Sequence, residues 1–242
     1  MVTILEREGD ATPAIAQKVL IVEDTADLRA AMDVTLSEAG YETCTAARGD
    51  EALKAFYLLQ PDIVLLDLSL PGMHGMDVCE AIRRLSNVPI IIFSAFGDVA
   101  EKLKAFELGA DDYVVKGGEM RELVARVGVA LRRNSTPREE ATDVYSDAQI
   151  HIDHTRRLVN VRGEAVELTR TEYELLVTLI QSAQPMPARQ LLRRVWGPEY
   201  NSDELVKWHI GRLRKKIEKN QDDPQLVVTR RGFGYEYRRP SE

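Results

Sequence analysis

Residues 61–83, PDIVLLDLSLPGMHGMDVCEAIR, decide the fold. Ile63 to Leu66 form an unbroken aliphatic run between two aspartates. A strand buried on both faces reads this way, because neither side needs the polar alternation of a half-exposed strand. Beyond Asp67 the residues Pro71 and Gly72 mark a turn, and Met76 to Leu85 reads as a helix. Working outward, the same grammar recurs three times. Val19 to Val22 runs into Glu23 and Asp24, Ile90 to Phe93 into Ser94, and Val114 to Val115 into Lys116.

Helices are expected between these runs. Leu28, Ala31, Met32, Thr35 and Leu36 recur at helical spacing, with Gly40 placed for a left-handed C-cap. Thr43 to Ala46 makes a short second strand, and Asp50 is placed to cap a helix through Leu59, with Pro61 opening the next strand. Ala100 to Leu108 and Glu119 to Arg133 supply two more helices. Five strands alternating with five helices predict an α/β fold with a doubly wound, five-stranded parallel sheet. Ligands of such sheets sit outside the carboxyl ends of the strands, where Glu23, Asp24, Asp67, Ser94 and Lys116 would meet.

That set suits phosphoryl chemistry. An aspartate attacks a phosphoryl donor poorly because both are negative, and a hard cation removes that obstacle. Asp24 and Asp67 can bind one Mg²⁺ directly, with the backbone carbonyl of Ser69 as a third ligand and Glu23 acting directly or through water. Lys116 would pair with one phosphoryl oxygen and the Ser94 hydroxyl with another, leaving Asp67 as the nucleophile.

The 242 residues suggest two domains: a tail at 1–16, a first domain at 17–133, a linker at 134–142 and a second domain at 143–239. The net charge of −7 divides unevenly, with 15 basic against 24 acidic residues through residue 142 and 17 against 15 after it. An acidic first half agrees with a carboxylate metal pocket. The second clusters Arg212, Arg214, Lys215 and Lys216, with Arg230 and Arg231 further on, and points to a polyanion. No apolar stretch approaches the roughly 18 residues of a membrane span, and the N-terminus lacks a signal-peptide layout, so a soluble, cytoplasmic protein without membrane contact is expected. Cys44 and Cys79 are too few for a disulfide framework and are expected to pack as small apolar residues.

After the linker, short alternating segments containing Ile150, Ile152, Leu158, Val161, Val166 and Leu168 suggest small antiparallel strands. Helices follow at Arg170 to Gln181, Ala188 to Val195 and Asp203 to Lys219. A hairpin of Leu226 to Thr229 with Tyr235 to Arg238 closes the chain, in the outline of an α+β winged helix-turn-helix. Within the last helix Val206, Ile210, Leu213 and Ile217 form one apolar stripe. Lys207, Gly211, Arg214 and Lys215 are left facing outward, with His209, Arg212 and Lys216 on the flanks, to meet phosphates and base edges. Trp196 and Trp208 are expected in packing, His151 and His154 on the surface.

Residues up to 133 resemble a response-regulator receiver domain, a flavodoxin-like fold, through VLIVEDTADLR, the segment quoted first, PIIIFSAFG and ELGADDYVVK. The resemblance implies that Asp67 accepts a phosphoryl group from a sensor histidine kinase, that Ser94 swings towards it, and that Tyr113 turns inward as the switch. It also implies a homodimer on activation through helix four, strand five and helix five, with Lys102, Asp111, Glu122 and Arg126 suited to cross-subunit ion pairs. One departure stands out. Receivers usually carry proline after the pocket lysine, often with a cis peptide, whereas Lys116 precedes Gly117 and Gly118, for which a trans and more flexible loop is expected.

From about Val144 to Arg239 the chain resembles the DNA-binding domain of the OmpR/PhoB family, through LTRTEYELLVTLI, QLLRRVWG, WHIGRLRKKIE and TRRGFGYEY. The resemblance implies a recognition helix beginning near Asp203, a loop from Gly197 to Ser202 touching RNA polymerase, and contacts to double-stranded DNA by His209, Arg212, Arg214, Thr229, Arg231 and Tyr235. Lys207, Lys215 and Arg230 complete the expected DNA-binding set.

The expected function is a two-component transcription regulator rather than an enzyme. The alternative is a DNA-binding regulator of the same family that acts independently of phosphorylation, motivated by the Lys116-Gly117-Gly118 loop. A metal-dependent phosphohydrolase is disfavoured, since no separate acid, base or arginine clamp accompanies the pocket.

Overall fold

The computed structural model describes residues 16–132, 144–182, 184–198 and 200–240. The expected linker at 134–142 and all of the expected tail but residue 16 lie outside them. The first unit runs β1 (Lys18–Val22), α1 (Ala26–Glu38), β2 (Glu42–Ala46), α2 (Gly49–Leu59), β3 (Ile63–Leu66), α3 (Gly75–Arg83), β4 (Ile90–Ser94), α4 (Val99–Glu107), β5 (Asp112–Val115) and α5 (Met120–Arg132). Its five strands are parallel in the order β2-β1-β3-β4-β5. The chain changes direction across the sheet between β1 and β3, and that crevice is where side chains at strand ends converge.

Continuous apolar runs are explained by two cores of alternating strand residues. Leu20, Val22, Val64, Leu66, Ile90 and Ile92 face Phe56 of α2, Val78 and Ile82 of α3 and Ala105 of α4. Val19, Ile21, Ile63, Leu65, Ile91 and Phe93 face Met32 and Leu36 of α1 and Leu123, Val127 and Leu131 of α5. Deleting most of one such side chain costs about 2–5 kcal/mol.

Local expectations held with one correction. Gly40 takes φ +91 after α1, as a left-handed C-cap requires. Asp50 does not cap α2: it lies inside the first turn and pairs with Arg48, the N-cap residue, at 3.0 Å.

The second unit begins with a four-stranded antiparallel sheet, β6 (Val144–Ser146), β7 (Ile150–Asp153), β8 (Leu158–Val161) and β9 (Glu164–Ala165). Val166 and Leu168 fall beyond its last strand. Three helices follow, α6 (Arg170–Gln181), α7 (Ala188–Val195) and α8 (Asp203–Ile217), then the hairpin β10 (Val227–Arg230) and β11 (Gly234–Tyr237). Thr169 and Glu172 form a capping box that starts α6. Among the described residues no helix is long and apolar enough to cross a membrane.

Candidate functional site

Strand register assembles the acidic pocket. Val22 pairs with Leu66, which sets Glu23 and Asp24 beside Asp67, and Ser94 pairs with Val115, which sets the hydroxyl beside Lys116. Glu23, Asp67 and Ser94 are buried while Asp24 is exposed, so the pocket opens on one side. The Lys116 ammonium lies 2.7 Å from Glu23 Oε2 and 2.9 Å from Asp67 Oδ2. Burial works against that ammonium, but the Glu23 and Asp67 carboxylates outweigh it and hold its pKa above the usual lysine value.

The carboxylates fit a hard divalent cation. Glu23, Asp24 and Asp67 each present an oxygen within 4.8 Å of the others. Glu23 Oε2 and Asp67 Oδ2 are buried without an aligned hydrogen bond, although Lys116 is near both. Lys116 supplies one positive charge against the Glu23 and Asp67 carboxylates, and a divalent cation beside Asp24 would balance the rest. Asp67 Oδ1, in contrast, accepts the Leu68 amide at 2.7 Å, which fixes the carboxylate's direction. Ser69 lies two residues further on, exposed in the β3–α3 loop.

Glycine shapes this pocket at two places. Any Cβ at Gly75 would lie 2.1 Å from the carbonyl oxygen of Asp67, so only glycine lets α3 start this close to the pocket. Gly117 has φ +105, a region closed to proline, and no cis peptide occurs among the described residues. The β5–α5 loop is trans, as expected, and Lys116 reaches the pocket without the usual proline.

Sequence reasoning missed Arg29. Its Nη1 donates to the carbonyl oxygens of Glu23 at 2.6 Å and Asp24 at 3.0 Å, pinning the backbone of two pocket carboxylates. Tyr113 is buried beside the β4–α4 loop. Its hydroxyl donates towards the Phe96 carbonyl at 2.8 Å and Glu101 Oε2 at 3.1 Å. The Ser94 hydroxyl accepts the Phe96 amide at 3.3 Å, which links the pocket to that tyrosine.

Helix α8 carries three stripes rather than two. Val206, Ile210, Leu213 and Ile217 are buried in its own core, as expected. Lys207 and Lys215 are exposed, and a side chain at Gly211 between them would meet no atom within 4 Å. The third stripe packs on the first unit. His209, expected to touch DNA, is buried between Trp196 and Phe106, with ring centroids 5.2 and 5.5 Å away. Arg212 donates to the carbonyls of Phe106 and Glu107 at the C-terminal end of α4, where the helix dipole favours a cation, and pairs with Glu172 at 2.9 Å. Both corrections share one cause: helical periodicity separates buried from polar positions but not one polar flank from another.

Arg214 reaches the hairpin, donating to the Val227 carbonyl and to Thr229 Oγ1, each at 2.8 Å, with its guanidinium 5.9 Å from the Tyr235 ring. Arg230 pairs with Glu236 at 2.7 Å, and Arg231 is exposed at the hairpin turn. Lys207, Lys215 and Arg231 therefore remain open to a polyanion, while Arg230 is exposed but paired with Glu236.

The residues expected in cross-subunit pairs are engaged within the chain. Asp111 is buried, not a surface group: its carboxylate takes Arg83 at 2.9 Å, the Ile90 amide and the Thr171 hydroxyl at 2.7 Å. Arg126 pairs with Glu122 at 2.6 Å and with Asp112 at 2.9 Å. Burial would lower the Arg126 pKa, but the Asp112 charge outweighs it and the guanidinium stays charged. The Tyr200 hydroxyl donates to Asp112 at 2.6 Å while its ring lies 4.2 Å under the Arg126 guanidinium. Lys102 stands 5.7 Å over the Tyr113 ring. Asp112 and Tyr200 escaped the sequence reading because their meeting depends on how the two units dock.

Comparison with known proteins agrees with both halves. Residues 19–128 match the family model "Response regulator receiver domain", and residues 163–237 match "Transcriptional regulatory protein, C terminal". The chain is 41% identical over 233 residues to a probable transcriptional regulator ycf27 of Cyanophora paradoxa, covering 93% of this chain and 98% of that one. It is also 41% identical over 221 residues to the DNA-binding response regulator MtrA of Mycolicibacterium paratuberculosis, covering 90% and 97%. Among solved structures, a point mutant of RitR aligns with a TM-score of 0.77 at 26% identity, covering 93% of this chain and all of that one. The Thermotoga maritima OmpR/PhoB homologue DrrB aligns at 0.50 and 28% identity, covering 92% and 99%. The chain belongs to the two-component response regulators that join a receiver domain to a DNA-binding domain of the OmpR/PhoB type.

Proposed function

We propose that Asp67 accepts a phosphoryl group from a sensor histidine kinase and that this controls dimerisation and sequence-specific DNA binding. The observation that carries the reading is the buried pair Glu23 and Asp67, whose oxygens converge on Lys116 beside the Ser94 hydroxyl. Glu23, Asp24, Asp67 and the Ser69 carbonyl would hold Mg²⁺, which when bound offsets negative charge on the incoming phosphoryl group. An Asp67 carboxylate oxygen forms a bond to phosphorus as the phosphorus–nitrogen bond of the phosphohistidine breaks. The electron pair returns to the imidazole nitrogen. Lys116 is placed to pair with a phosphoryl oxygen, and Ser94 to donate to another.

Docking of the second domain supports a switch acting through assembly. The receiver face of α4, β5 and α5 is occupied by Tyr200, Trp196, Thr171 and Arg212. That is the face expected for the homodimer, so a chain closed on itself cannot also pair through it. Lys207 and Lys215 stay exposed meanwhile, so closure withholds the dimer more than the DNA-reading surface. Opening would join two modest DNA-binding modules on tandem half-sites, where the second contact becomes intramolecular. It would also free the loop that begins at Gly197, which includes Tyr200, for RNA polymerase.

Mass spectrometry of the chain after incubation with Mg²⁺ and a small-molecule phosphodonor tests the reading. One phosphoryl group on Asp67 is expected, and none on Asp67→Ala. An Asp67→Ala variant that regulates its promoter like the parent would instead favour phosphorylation-independent control.

A further inference from the structure

We propose that Gly211 is a specificity-determining residue that takes the 5-methyl group of a thymine into the space its own side chain would fill, an inference that rests on the reading of α8 as the DNA recognition helix. Gly211 lies in the middle of α8, where glycine weakens a helix relative to alanine. Nothing inside the protein offsets that loss. A Cβ there would meet no atom within 4 Å, whereas at Gly75 and Gly234 it would strike backbone at 2.1 Å. Gly40, Gly117, Gly163 and Gly232 also border open space, but their positive φ calls for glycine. Gly211 has ordinary helical backbone, so neither crowding nor conformation within the chain selects it.

Its neighbours name the partner. Lys207 and Lys215 stand four residues before and four after it on the same stripe, and both are exposed. Eight residues of helix separate them by about 12 Å along the axis, close to the width of a DNA major groove. Their ammonium groups are spaced to meet phosphates at the two edges of the groove, which leaves Gly211 over the bases between them.

The gap also selects what fills it. Inside the helix the backbone N–H and C=O groups around Gly211 are spent on bonds to the turns before and after, so the gap offers neither donor nor acceptor. A base edge meets it by shape and apolar contact alone. Among the groups that base pairs present in the major groove, the thymine 5-methyl is the apolar one. The carbon missing from the protein is then supplied by the DNA.

The test uses the full chain with Mg²⁺ and beryllofluoride. The parent first selects its preferred site from a random duplex pool, and each thymine of that site is then replaced by deoxyuridine, which lacks only the methyl group. One such replacement should weaken the parent about fourfold, the worth of one buried methyl. Gly211→Ala moves that methyl from the DNA to the protein. It should bind the thymine site more weakly than the parent does and recover on the deoxyuridine duplex, since two halves of one contact do not add as independent losses would. Alanine should also raise the thermal midpoint of the variant by a few degrees, which separates lost recognition from lost folding. A parent indifferent to every deoxyuridine, or additive losses in the variant, overturns the role of Gly211 while leaving α8 as the reader. A parent that selects no sequence overturns the reading by α8 itself, and the role of Gly211 with it.

Discussion

The acidic pocket and the face of α8 both concentrate charge, but they are built in opposite ways. The pocket draws Glu23, Asp67, Ser94 and Lys116 from four strand ends, far apart in sequence, and packs them into one buried cluster. Helix α8 takes neighbours in sequence and spreads them over three surfaces: its own core, the receiver, and solvent. Long-range assembly fixed by a sheet leaves each pocket residue a single place. Local assembly on a helix leaves its residues free to serve whichever partner lies alongside, which is how Arg212 and His209 come to hold the receiver.

The largest expected effect breaks the contact through which α4–β5–α5 borrows the second domain. Tyr200→Phe removes the donor to Asp112 but keeps the ring under Arg126. A hydrogen bond to a charged group contributes about 1.5–3 kcal/mol, so the open population should rise at least about tenfold. Small-angle scattering should report a larger radius of gyration for this variant without a phosphodonor, while phosphorylation of Asp67 itself persists.

An intermediate effect tests how α8 is anchored to its own domain. Burial raises the pKa of Glu172, but Lys216 and Arg212 outweigh it and hold the carboxyl below its ordinary value of 4.5. A depressed folded-state pKa contributes stability that is present above 4.5 and is lost as pH falls through the lower folded value. Denaturant unfolding of the second domain should therefore weaken in that acid window, with Glu172→Gln less stable at neutral pH but flatter below it. An equal acid response in both proteins would remove Glu172 from the account.

The smallest effect sharpens the outward stripe. Lys215→Ala should lower DNA affinity about equally across sequences and reduce the salt slope by about 0.9, the value of one phosphate contact. A change of sequence preference would instead make Lys215 a base reader.

Much of this was legible in the residues. Aliphatic runs ending in Glu23, Asp67, Ser94 and Lys116 predicted both the parallel sheet and its pocket, because a doubly wound sheet leaves little choice about where such endings meet. The winged domain's helices were readable from their apolar periodicity, with α6 and α7 beginning and ending where expected. What escaped was the side chain's choice among polar partners. Asp50 binds Arg48 rather than capping, Asp111 turns inward to Arg83, and Arg29 holds carbonyls that no sequence pattern displays. The meeting of Tyr200 with Asp112 depends on how two domains dock, which no local pattern encodes.

Sedimentation equilibrium of the full chain, with and without Mg²⁺ and beryllofluoride, tests the central claim most directly. One receiver face either holds the chain's own second domain or pairs with another copy, so a monomer that becomes a dimer on adding the phosphoryl mimic is predicted. A chain that binds the mimic yet stays monomeric would contradict it.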